Sequence, residues 1–168
     1  MKLASQLAER SKEVLLTGKW VAGTNIKDQI IDLDWKQAIA RIDTLNTIAD
    51  LVFHINYYIA GVADVLEGKP LNIRDKFSFD APPVNSEQDW SDRIDTFCTD
   101  AERFVSLVNN MTDKDLLKPF IDEKYGNYLR NIDVILEHSY YHFGQIVLIR
   151  KLLEKNNEID PLIHDQTL

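Results

Sequence analysis

Only one cysteine occurs among the 168 residues, so no internal disulfide can form. That excludes the disulfide-stapled secreted class and fits a reducing compartment, the cytoplasm. Glycine (6) and proline (5) are scarce as well, and no low-complexity tract or internal repeat occurs. No apolar run approaches the roughly 20 residues that span a bilayer. The N-terminus, Met1 to Gln6, turns polar again at Glu9-Arg10, too early for a signal-peptide core. Positive charge is also short: 19 basic residues against 27 acidic give a net charge of −8. Such a surface repels phosphate backbones and anionic lipid, so neither nucleic acid nor membrane is an expected partner. What remains is 45% hydrophobic and 27% charged. Residues 1–168 are therefore expected to form one ordinary domain with one core.

The apolar residues recur at helical spacing, and no segment sustains a strand alternation. Leu3, Leu7, Val14 and Leu15 mark a first amphipathic helix, ending near Thr17 with Gly18 at a left-handed cap. A short helix at residues 26–33 and another beginning at Asp34 are suggested. Ile48, Leu51, Val52, Ile55, Ile59, Val62 and Leu66 form one stripe of a second long helix, about 47–67. A polar connection follows, in which Pro82-Pro83 forbids helix. Ser86 or Asp89 opens a third long helix with Trp90, Ile94, Phe97, Ala101, Phe104, Val108 and Met111 inward, and Thr112 caps a short turn. The last long helix spans about 127–155. The fold class expected is all-α: an antiparallel four-helix bundle with a long connection between helices two and three.

Four histidines occur: His54, His138, His142 and His164. His138 and His142, at i and i+4, share one face of the last helix, where two imidazoles can converge on one ion. His142 falls within the apolar stripe Ile132, Ile135, Ser139, His142, Ile146, Ile149 and Leu153, and His138 lies on its shoulder. His54 flanks the stripe of the second helix. The opposing reading is three core histidines bonded to carbonyls or hydroxyls. His164, beyond Pro161, reads as solvated. The Glu-x-x-His pairs of di-iron bundles, H-E-x-x-H, the phosphate loop and the nucleophile elbow are all missing. Cys98 reads as a buried, inert thiol.

His54 within Ile48–Ile55, followed by His138-Ser139-Tyr140-Tyr141-His142-Phe143-Gly144-Gln145-Ile146, resembles the DinB/YfiT-like superfamily, unrelated to the similarly named polymerase. Phe77–Asp80, Ser86–Trp90 and Glu123–Tyr128 also look like its bacterial members, so the resemblance covers nearly the whole chain. It implies a helical bundle, commonly a homodimer. It further implies a divalent ion on His54, His138 and His142, nickel or zinc foremost, with iron or manganese as further candidates.

Some relatives move groups with a low-molecular-weight thiol, and others have no assigned activity. The leading expectation is therefore a metal-dependent S-transferase taking a small-molecule thiol and an electrophilic substrate. Tyr141 and Gln145 are candidate catalytic residues, the first for donating a hydrogen bond or carrying a proton, the second for orienting a ligand or water. Tyr57, Tyr58 and Tyr140 lie nearby along their helices. Two alternatives stay open. One is a hydrolase that replaces the thiol by water. The other is a non-enzymatic dimeric stress-response or binding bundle. In that case Trp90, Phe97 and Phe104 supply a dimer seam, and His164 or a carboxylate closes a structural metal shell.

Overall fold

The computed structural model describes the backbone of residues 2–164 and the side chains of residues 2–155. Among these residues the regular structure is helical throughout, with seven α-helices and no strand. They are α1 (Leu3–Lys12), α2 (Ile26–Ile30), α3 (Trp35–Ala38), α4 (Ile48–Leu66), α5 (Glu87–Asn110), α6 (Asp113–Leu116) and α7 (Tyr128–His164). The longest four, α1, α4, α5 and α7, pack around one core: α5 lies against α1 and α4, and α7 against α4 and α1.

Local chemistry sets the starts of these helices. The Thr47 side chain accepts from the Asp50 amide and the Asp50 carboxylate from the Thr47 amide, a reciprocal box opening α4. Ser86 opens α5 by accepting from the Asp89 amide. Each such cap contributes about 1 kcal/mol by satisfying amides that have no partner within the helix.

Two expectations at the helix ends need correction. The first helix does not end in a left-handed glycine. After α1 the chain widens into a π-helical turn, Glu13–Thr17, and Gly18 follows with φ −82° and ψ 154°. Glycine is required there for space, because a Cβ would collide with the Glu13 backbone. The last helix, expected to stop near Lys155, continues through Pro161 to His164. The reading of His164 as solvated lies outside the described side chains.

The stripes face inward as expected. Ile48, Leu51, Ile55 and Ile59 of α4 and Ile132 and Leu136 of α7 are fully buried. On α5, Trp90, Ile94, Phe97, Ala101, Phe104 and Val108 are buried, and the Trp90 indole donates to the Leu33 carbonyl at 2.9 Å. Trp90, Phe97 and Phe104 are therefore committed to the chain's own core and are not available as a seam between copies.

Candidate metal centre

His54 sits two turns into α4, and His138 and His142 are one turn apart on α7, which packs against α4. The packing brings all three rings together. His138 Nε2 lies 3.0 Å from His54 Nε2 and 3.0 Å from His142 Nε2. One ring nitrogen from each of the three comes within 4.8 Å of the others. His54 and His142 are 7% exposed, so this is a recessed cluster and not a surface coincidence.

The outer partners of two rings fix which nitrogen carries the proton. A carbonyl can only accept, so His54 Nδ1 donates to the Ser78 carbonyl at 3.1 Å. Its Nε2 then bears a lone pair. His142 Nδ1 donates to Gln145 Oε1 at 2.8 Å, which leaves its Nε2 in the same condition. Two lone pairs thus face His138 Nε2, which has at most one proton to give. The cluster is one proton short of satisfying itself.

Burial depresses the basicity of all three rings, which favours the neutral, lone-pair-bearing form. His138 falls from 6.5 to about 4, through burial first and then its two neighbours. Burial also lowers His54 and His142, against smaller upward pulls from the Ser78 carbonyl and Gln145 respectively. The donor set therefore suits a divalent cation. Two imidazole nitrogens about 2.0–2.1 Å from a shared ion stand roughly 2.8–3.4 Å apart at right-angled to tetrahedral openings. The two 3.0 Å separations about His138 Nε2 fall in that range, and the three-nitrogen set as a whole spans up to 4.8 Å.

A segment outside the long helices covers the histidines. The connection from α4 to α5 turns through a 3₁₀ helix at Asp75–Phe77 and lies back along α4. Gly61 of α4 admits it: a Cβ there would lie 2.5 Å from Ile73 Cγ1. Tyr57 and Tyr58 pin the connection. The Tyr57 hydroxyl accepts from the Arg74 amide at 2.9 Å, and the Tyr58 hydroxyl donates to Asp75 Oδ1 at 3.0 Å. Phe79 then stacks on the His54 ring with centroids 3.9 Å apart and planes 13° from parallel. Tyr58 meets His54 and His138 edge-on at 5.1 and 4.9 Å.

Of the two candidate catalytic side chains, Gln145 is hydrogen-bonded to His142, while Tyr141 is 65% exposed with its ring 4.8 Å from that of His142. Tyr140 turns the other way, into a small cavity shared with Val14, Gly18, Trp20 and Phe143. Cys98 is half-buried, and burial pushes its thiol pKa up, as expected of an unreactive cysteine. Nothing in the sequence pattern marks Ser78 or Phe79 for a role, although both fall in the stretch Phe77–Asp80 that carries part of the resemblance. A cavity of about 450 Å³ between α1 and α5 touches none of the histidines. A smaller one of about 210 Å³ reaches Gln145.

Residues 30–146 match the family model of the DinB superfamily, more than two thirds of the chain. This chain belongs to the DinB superfamily. The matched region contains His54, His138, His142 and the whole covering connection, so the DinB assignment and the histidine cluster fall on the same residues. Comparisons with curated proteins and with solved structures return no match.

Proposed function

We propose that this DinB-superfamily protein is a divalent-metal-dependent enzyme of the low-molecular-weight-thiol S-transferase type. It would act as a homodimer of single-domain antiparallel four-helix bundles, with His54, His138 and His142 holding the ion. One observation carries the reading: three imidazole Nε2 atoms converge, two of them fixed as lone-pair donors by the Ser78 carbonyl and Gln145. Nickel and zinc suit an all-imidazole set, and iron and manganese are weaker candidates.

A divalent ion held by neutral ligands keeps its full charge and lowers the pKa of a thiol brought to it, supplying thiolate at neutral pH. The protein's own groups do the rest. Ser78 and Gln145 hold the His54 and His142 tautomers. Phe79 and Tyr58 wall the site with aromatic surface and keep bulk water from the histidine rings. Tyr141, at the exposed edge beside His142, would donate a hydrogen bond to an electrophilic substrate. Among the described residues no carboxylate joins the histidine cluster. A thiol, with an ordinary pKa of about 8.5, needs less help from a base than water does, which favours thiol over hydrolytic chemistry.

The test is turnover of a reactive electrophile by metal-loaded protein with and without small thiols. Turnover that requires added thiol and disappears in His142→Ala supports the proposal. Turnover without thiol replaces it by the hydrolase.

A further inference from the structure

One stripe of α7 has no partner among the described residues. Val134, Glu137, Tyr141, Gly144, Leu148 and Lys151 follow one another at alternating steps of three and four, and all are exposed. Tyr141 and Leu148 are 65% and 55% exposed, large values for apolar side chains on the middle of a long helix. Gly144 lies between them. A glycine inside a helix costs about 1 kcal/mol relative to alanine. Nothing among the described residues requires it, because a Cβ at Gly144 would meet none of their atoms within 4 Å. Glu137 stands toward the N-terminal end of the stripe, where it already forms an exposed pair with Arg130 of the same helix at 3.1 Å. Lys151, at the C-terminal end, makes no ion pair among the described residues.

We infer that this stripe is the seat of a second copy of the chain, with the two α7 helices antiparallel about a two-fold axis between residues 142 and 143. The inference rests on the dimeric reading above and adds the surface to it. A two-fold contact must be self-complementary, and three features of the stripe match on reversal. The Tyr141 ring lies over the partner's Gly144, where the absent Cβ leaves room. Leu148 meets the partner's Val134 and the partner's Tyr141. Glu137 reaches the partner's Lys151, whereas a parallel pairing would set like charges side by side. Because Tyr141 also borders His142, each histidine site then lies at the edge of the interface, and the partner helix completes its rim.

Sedimentation of the full chain over a range of concentrations tests this, with helicity and bound metal measured on the same samples. Wild type should sediment at twice the monomer mass. Gly144→Leu, which fills only open space in the protomer, should keep its helicity and become monomeric. Glu137→Lys and Lys151→Glu should each weaken self-association by about tenfold or more, and an equimolar mixture of the two should recover it. A dimer indifferent to all three changes overturns the assigned surface while the dimeric reading stands. A wild type that is monomeric at every concentration overturns both. Bound metal reports on the histidine reading separately.

Discussion

The two walls of the histidine site are built differently. One is helical: α4 and α7 each hold their rings on regular backbone, at positions fixed by caps and by buried stripes of isoleucine and leucine. The other is the connection between α4 and α5, held by side-chain hydrogen bonds from Tyr57 and Tyr58 and by close approach at Gly61. The helical wall supplies the three Nε2 atoms. The connection decides the state of His54 through a carbonyl on its Nδ1 and an aromatic face over its ring, whereas Gln145 on α7 does so for His142. Ligands placed on rigid elements and oriented by outer partners are the arrangement expected where geometry must be held closely.

The largest effect should come from the helical wall. His138→Ala removes the ring that touches both others and should abolish metal binding in a titration, with helix content unchanged. Next comes the partner borne by α7 itself: Gln145→Leu frees the His142 tautomer and should weaken metal affinity about 10–100-fold. Gln145→Glu, which still accepts from Nδ1, should recover most of it. If Gln145→Leu binds as well as wild type, the tautomer argument fails on that ring.

Both walls together bury the rings, and this should be legible in the metal-free protein as a pH dependence. Folded His138 stays neutral down to about pH 4, while the unfolded chain takes up its proton near 6.5. In that window the unfolded state binds more protons, so stability falls as pH drops and the effect levels off below about 4. Allowing for partial exposure, the loss is on the order of 2 kcal/mol. Urea unfolding across pH 7 to 4 should be steeper in wild type than in His138→Gln, and equal slopes would contradict it. The smallest effect belongs to the covering connection. Phe79→Ala removes one stacked pair, worth about 1 kcal/mol, and should loosen the cover with a few-fold change in metal affinity. A loss as large as that of His138→Ala would mean that the connection, not the helices, organises the site.

Much of the helical wall was legible in the sequence. The i, i+4 spacing of His138 and His142 puts two rings on one face whatever surrounds them, and Gln145 at i+3 from His142 is equally local. The capping chemistry of Thr47 and Ser86 is written in residue identity. The place of His54 beside the stripe of its helix allowed it to meet the pair, but only a resemblance tied the three together, because convergence of two helices leaves no local spacing to read. The Ser78 carbonyl could not be read at all: every residue has one, and only the path of the chain aims it. Trp90, Phe97 and Phe104, seven apart, fit a seam or a core equally until the neighbours of α5 were known. Gly18 misled because the usual role of glycine at a helix end is replaced here by close approach to the Glu13 backbone.

The central claim is that three neutral imidazoles hold one divalent ion, and elemental analysis of untagged protein beside His142→Ala tests it most directly. The expected result is about one ion per chain in wild type and none in the variant, with equal helicity. No metal in wild type, even after incubation with zinc or nickel, would contradict the claim and return His54, His138 and His142 to the status of core histidines.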